Sequence, residues 1–387
     1  MQSKGKKPGV VLITGQLSSK IKIGEMFVVQ LLQILEPQCG KLFVIAGNFN
    51  GKVNGQVQII NLKRKNSSEM RPVWIRIPRF LLTQLIISAH FTKVSKMVDV
   101  ALFYLAELNL LPILCSKLLK KKTVVFYLTG RRAYEMSLTE PSSFSRIMIP
   151  PITRILLRVV FFLADQIVVE AKNTIEWAGL GKYRDKISVS GARYVDSNFF
   201  SVKRELKNRR ESVGFIGRLS PEKGIVNFVN AIPLISKELS EVGFLIGGVG
   251  PMLNEIEGKL RRNKCRDIVK LVDWIAHDEL PEYLNELKLL VIPSYTEGLP
   301  TIMLEAMACG TPVLATPVGG IPDVIKDGKT GFILDDNSAE SITRGVIRAL
   351  NYPELLEVTK SARALIESKY SYAAAVQRYE TILSGPC

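Results

Sequence analysis

The sequence predicts an α/β protein of two Rossmann-like domains, and three observations predict it. The chain has 387 residues, enough for two ordinary domains with a core each. It opens on a β-loop-α-β order, the pattern of a sheet with crossover helices: a buried strand at 10–14, a polar loop at 15–23, Gly24-Glu25 opening a helical run at 26–35, and a strand at 42–46. The same pattern restarts at 212–216, with a strand, a loop and a helix at 225–236.

Between these beginnings lies a basic polar segment with Lys203, Arg204, Lys207, Arg209 and Arg210. It reads as a linker, giving a first domain at 1–195, a linker at 196–211, a second domain at 212–370 and a closing helix at 371–387. Within the first domain, strands are expected at 57–62, 73–77, 98–104 and 123–128, and helices at 80–94 and 110–119. The second of these helices ends in Lys120-Lys121-Lys122, suited to the negative end of its dipole. The run 148–163 carries Arg154 and Arg158 beside Ile, Leu, Val and Phe. It reads either as a membrane-surface helix or as a core helix whose arginines face water.

Composition removes several classes. With 47% hydrophobic and 23% charged residues the chain is globular rather than disordered. Five scattered cysteines without a Cys-x-x-Cys pair suggest reduced thiols in a cytoplasmic protein, neither a disulfide framework nor a zinc site. Two histidines, His90 and His277, are too few for a His-rich metal centre, and no Asp-x-Asp pair occurs, so no metal is expected. His277 precedes a helix start and reads as a surface residue. No apolar stretch is long enough to span a bilayer, and the run at the amino terminus is too short for a secretory core.

The formal charge of +16 is unevenly spread. Residues 1–190 hold 28 Lys and Arg against 11 Asp and Glu, whereas the remainder holds 24 against 25. A basic half attracts an anionic membrane, an anionic substrate or nucleic acid. Nucleic-acid binding usually interleaves aromatic residues with the basic ones, and the stretch 63–79 offers only Trp74, so no nucleic acid is expected.

The second half carries the chemistry. Gly217-Arg218-Leu219-Ser220-Pro221-Glu222-Lys223-Gly224 presents a guanidinium and an ammonium five residues apart at a helix start, a pairing suited to a diphosphate. After the strand at 242–246, Gly247-Gly248-Val249-Gly250-Pro251 is by itself only a turn. From 291 to 323 a strand, a loop with Glu297, Gly298, Leu299 and Pro300, a helix from Thr301 containing Glu305, and another strand follow in order. Helix starts at the carboxyl ends of parallel strands favour anions, and carboxylates accept from hydroxyl groups. On spacing alone, Glu297 and Glu305 could equally be a helix-start acid and a solvated helix residue.

The strings E-G-L-P-T-I-M-L-E, A-C-G-T-P-V-L-A-T and G-G-I-P-D-V-I-K-D-G-K-T-G-F-I-L closely resemble the nucleotide-binding region of family 4 retaining glycosyltransferases, which have the GT-B architecture. The resemblance is strong over about 214–340 and extends to G-R-L-S-P-E-K-G. It implies two Rossmann-like domains facing a central cleft, a closing helix at 371–387 packing back on the first domain, and a nucleotide diphosphate sugar as donor, with no cofactor. Glu297 would contact the donor sugar and Glu305 the ribose. Arg218 and Lys223 would steady the leaving diphosphate. Gly217, Gly248, Gly250, Gly298, Leu299, Pro300, Thr301 and Ile275 would line the donor site, with Trp274 beside Ile275 stacking or packing.

In the first domain the chain departs from the family. Only Gly24 remains of the usual loop glycines, and Thr129 stands where a histidine is usual, followed by Arg131 and Arg132 as acceptor-side candidates or solvated arginines. The implied acceptor is a glycan of the cell envelope, lipid-linked or anionic, reached at the inner face of the membrane. Competing readings are a nucleotide-sugar epimerase on the same fold and a non-catalytic basic module that binds membrane or nucleic acid.

Overall fold

A computed structural model describes residues 7–16, 23–53, 55–62, 73–127, 143–191, 193–209 and 212–384. The chain divides into two units. One takes the described residues up to Arg193 together with those from Ala375 onward, and the other takes Tyr194–Ala374.

The first unit is built on a seven-stranded sheet, β1 (Gly9–Gln16), β2 (Lys41–Gly47), β3 (Val57–Leu62), β4 (Val100–Tyr104), β5 (Lys122–Tyr127), β6 (Gln166–Val169) and β7 (Ile187–Val189), all pairings parallel, in the order β3-β2-β1-β4-β5-β6-β7. Its central strands are apolar on both faces, as a sheet covered on both sides requires, and all five residues of β4 are buried. Helix α1 (Ile23–Leu35) follows β1, and Gly24 lies in its first turn. Helices α2 (Val73–Val94), α3 (Leu110–Leu118) and α4 (Ser143–Leu163) lead into β4, β5 and β6, and α3 packs against both others.

The strand expected at 73–77 is instead the beginning of α2. Val-Trp-Ile-Arg-Ile has the period of a strand, but no turn separates it from the helical run behind it, and Pro78 is accommodated inside the helix. Local β propensity yields there to the continuation of a long helix that packs on α3. Short helix α5 (Asn173–Trp177) follows β6.

The second unit repeats the plan with six strands, β8 (Ser212–Ile216), β9 (Gly243–Gly247), β10 (Val269–Val272), β11 (Leu289–Ile292), β12 (Val313–Ala315) and β13 (Phe332–Ile333), in the order β10-β9-β8-β11-β12-β13 and again all parallel. Alternation along β11 places Leu289 and Val291 in a core with Phe215, Phe228 and Phe332, and Leu290 in a second core with Met303, Leu304 and Met307. The helices are α6 (Ile225–Glu238), α7 (Leu253–Arg262), α8 (Leu280–Glu286), α9 (Thr301–Ala308), α10 (Ile321–Val324), α11 (Ala339–Leu350) and α12 (Leu355–Lys369). Ser338 caps α11 by accepting the Ser341 N–H, 3.2 Å.

The basic segment expected as a linker lies in the second unit as far as it is described. Arg209 is buried and donates to the carbonyls of Arg204, Leu284, Leu287 and Cys309 and to Thr311 Oγ1. Asn285 Oδ1 takes the backbone amides of Lys203 and Arg204. Charge made this stretch look solvated; a guanidinium with carbonyl acceptors in reach can be buried instead. The closing helix α13 (Tyr372–Ser384) passes into the first unit, where Tyr379 stacks on Phe126 at 6.1 Å and buried Lys122 donates to the carbonyl of Ile382, 2.7 Å.

Candidate functional site

The strand order of the second sheet reverses between β8 and β11, a topological switch point whose carboxyl edge is the usual place for a ligand in such sheets. The loops leaving the two strands are stitched together there. Tyr295 N–H donates to the Glu222 carbonyl, 2.9 Å, and Asn227 Nδ2 donates to Tyr295 Oη, 2.9 Å. Gly224 has φ +68°, and a Cβ on it would stand 2.0 Å from the Pro293 carbonyl oxygen, so no other residue fits that contact.

Across this junction Lys223 Nζ donates to Glu297 Oε1 at 2.6 Å, and Ser294 Oγ donates to the same oxygen at 2.7 Å. The Lys223 and Glu297 side chains are 21% and 5% exposed, so the pair is largely withdrawn from water. The sequence gives these two residues separate tasks, phosphate and sugar; the structure joins them directly. Arg218 behaves differently. Its side chain is 60% exposed and stands 4.0 Å from Glu222 Oε1, an oxygen that also accepts from Ser220 Oγ at 2.6 Å.

The peptide following Glu297 is pinned from β12's side. Gly320 N–H donates to the Gly298 carbonyl, 2.6 Å, and Gly319, at φ +56°, lies where a Cβ would meet the Glu297 carbonyl oxygen at 2.0 Å. Leu299 is buried, and extended Pro300 is the N-cap of α9 without a side-chain cap. Thr301 is the first residue of α9.

Gly217, Gly248 and Gly250 serve a backbone contact between two loops. Gly217 N–H donates to Gly247 O at 2.9 Å and Leu219 N–H to Val249 O at 3.0 Å. A Cβ on Gly248 would lie 1.9 Å from the Gly217 oxygen, and one on Gly250 would lie 2.1 Å from the Leu219 oxygen. These last two glycines admit the neighbouring loop, whichever ligand lies beyond. Ile275 packs over Gly247 and against the core beneath, while neighbouring Trp274 is exposed.

Glu305, on α9, is 4% exposed and holds the main surprise of the site. His277 Nε2 lies 3.2 Å from Glu305 Oε1. The imidazole stacks on Phe199 at 5.9 Å and meets Phe200 edge-on at 5.3 Å. The Glu305 hydrogen bond raises the His277 pKa against the opposing effect of burial, with Glu305 and Asp278 charges adding to the rise. His277 reads from sequence as a plain surface residue, because nothing local links it to a carboxylate on another element. In the first unit, Gly24 sits in a helix turn, and Thr129, Arg131 and Arg132 lie outside the described residues. Among the described residues no group of three or more His, Cys, Asp or Glu is placed to hold a metal ion.

Residues 196–369 match the family model of glycosyl transferases group 1. The match spans Arg218, Lys223, Glu297, Glu305 and His277 together and supports a group 1 glycosyltransferase. Alpha-D-kanosaminyltransferase of Streptomyces kanamyceticus is 29% identical over 189 residues, 47% of this chain and 49% of that protein. The chain spans about half the length of the curated relatives it matches. Among solved structures, HepE of Anabaena in complex with UDP superposes with a TM-score of 0.72 at 15% identity, covering 98% of this chain and 100% of that one. Sucrose-phosphate synthase of Thermosynechococcus elongatus gives 0.70 at 18%, covering 97% and 98%. The fold is therefore that of these GT-B proteins, with two Rossmann-like domains. The group 1 likeness favours neither an epimerase nor a nucleic-acid-binding module.

Proposed function

We propose that the chain is a family 4 glycosyltransferase that moves a sugar, with retention of configuration, from a nucleoside diphosphate sugar to an acceptor glycan or lipid-linked acceptor. The observation that carries the proposal is the Lys223–Glu297 pair, 2.6 Å, at the switch-point edge beside exposed Arg218. Departure of a nucleoside diphosphate concentrates negative charge on its terminal phosphate, and preorganised cations placed there lower the barrier. Arg218 and Lys223 supply that charge in place of a divalent metal. Glu297 receives sugar hydroxyls, Glu305 receives ribose hydroxyls, and the backbone at 299–302 opening α9 faces the phosphate or the sugar. The acceptor hydroxyl attacks the anomeric carbon on the face the diphosphate leaves. As the new C–O bond forms and the old one breaks, the hydroxyl proton passes to the departing phosphate oxygen. The likeness to HepE, solved with UDP and with UDP-glucose, supports a nucleoside diphosphate sugar as donor.

The proposal places the protein in the cytoplasm, with its first unit against the anionic inner face of a membrane. Its excess of basic residues supports this, as does the surface of two helices. On α4, Ile152, Ile155, Val159 and Phe162 form one exposed stripe with exposed Arg154 and Arg158 beside it; on α2, Leu81, Leu82 and Leu85 are exposed. No helix among the described residues is long and apolar enough to cross a membrane.

Transfer assays with a panel of nucleotide sugars test the donor site. Glu305→Ala and Lys223→Ala should each sharply reduce transfer in a folded protein, and unchanged turnover at sub-saturating and saturating donor would overturn the site assignment.

A further inference from the structure

His277 is held more firmly than a surface histidine needs to be. Phe199 lies nearly parallel to the ring at an interplanar angle of 14°, and Phe200 closes it at 75°. Two aromatic walls fix the plane of the imidazole, and with it the direction in which Nε2 meets Glu305 Oε1. The charged groups shown to act on it come from two places. Glu305 faces it from α9, and Asp278 from its own loop. On the segment carrying Phe199 and Phe200, Asp196 Oδ1 accepts the amides of Asn198 and Phe199, which fixes the turn that presents the two rings. Hydrogen-bond partners behind a binding group orient it and tune its charge.

We infer that His277 is a positioning residue for nucleotide binding: its Nε2–H donates to Glu305 Oε1, fixing the carboxylate for the ribose hydroxyls and offsetting its charge beside the anionic diphosphate. This rests on Glu305 as the ribose-binding residue. Both effects are strongest when the ring is an imidazolium, because the bond is then charge-assisted. Donor affinity therefore rises as pH falls through the His277 titration. The Glu305 hydrogen bond moves that transition upward from the ordinary histidine value.

The test measures binding of UDP-glucose, GDP-mannose and ADP-glucose by calorimetry at about pH 6 and about pH 8.5, either side of the histidine range. All three carry a ribose and a diphosphate esterified at both ends, so the ligand itself does not titrate between these values. His277→Gln keeps a donor that cannot become charged, and His277→Phe keeps the ring stack without a donor. The wild type should bind at least one donor severalfold tighter at the lower pH. His277→Gln should lose the pH slope, and His277→Phe should lose the slope and bind roughly tenfold more weakly at the lower pH. Variants that keep both the wild-type affinity and its slope would overturn the inference while leaving the donor reading intact. A wild type that binds none of the three would overturn the donor reading, and this inference with it. As the sequence has two histidines, their imidazole NMR signals are assigned by one variant. The His277 pKa should then fall in Glu305→Gln, and an unchanged value would show that the pair does not form.

Discussion

Lys223 and Glu297 meet at 2.6 Å from loops on opposite sides of the β8/β11 switch point. The ion pair ties the two loops proposed to hold phosphate and sugar into one unit. Removing the ammonium leaves a carboxylate that is 5% exposed with Ser294 alone on that oxygen. Lys223→Ala should therefore lower kcat/KM by about 100-fold or more, the scale of losing one charge-stabilising donor. It should also cost about 2 kcal/mol of stability, below the usual figure for a fully buried pair because Lys223 is partly exposed. Transfer kinetics and denaturant melts separate the two effects; loss of stability without loss of rate would make the pair purely structural.

The close approach behind Glu297 gives a prediction that no side-chain chemistry enters. Gly319→Ala puts a Cβ about where the Glu297 carbonyl oxygen stands, 2.0 Å away, at a φ of +56°. The left-handed backbone alone costs roughly 1–2 kcal/mol, and the clash adds to it by pushing the Glu297 peptide aside. A lowered denaturation midpoint together with weakened donor binding is expected. A variant with wild-type stability would mean that the two loops do not approach this closely.

The His277–Glu305 bond also sets a pH signature on stability. A histidine pKa raised in the folded state above its ordinary value of 6.5 makes the folded protein the stronger proton binder. The stabilisation is therefore complete below the unfolded pKa and is lost as pH rises through the folded one. The Tm of the wild type should exceed that of His277→Phe most on the acid side of 6.5, and the gap should narrow as pH rises above it. A gap that widens with pH would contradict the sign.

The exposed stripe of α4 gives the proposed membrane contact a direct test. Phosphatidylglycerol vesicles at low salt should bind the protein and phosphatidylcholine vesicles should not. Each of Arg154→Ala and Arg158→Ala should cost about 1 kcal/mol of vesicle affinity. Ile155→Ser with Phe162→Ser should weaken binding that salt leaves behind. Failure of the wild type to bind anionic vesicles at low salt would end the membrane reading.

Much of this was legible in the sequence because it is local. The parallel sheets follow from short buried runs separated by helical ones, and the G-R-L-S-P-E-K-G and E-G-L-P-T-I-M-L-E strings place Arg218, Lys223 and Glu297 in loops after strands and Glu305 on the helix that follows. What stayed hidden depends on distant chain segments coming together. Phe199, His277 and Glu305 share no sequence pattern, and Arg209 looks like a linker residue until the carbonyls of Leu284, Leu287 and Cys309 close around it. Val73 to Ile77 failed for the opposite reason: a strand-like local pattern was absorbed into the first turns of a long helix.

The central claim is that the second unit holds a nucleoside diphosphate at the β8/β11 edge. Thermal shift of the whole chain against UDP, GDP, ADP and CDP tests it most directly, because a ligand that binds only the folded state raises Tm. The account predicts that at least one of the four raises the Tm of the wild type and that Lys223→Ala and Glu305→Ala abolish most of that rise. No rise with any nucleotide, or an equal rise in both variants, would contradict it.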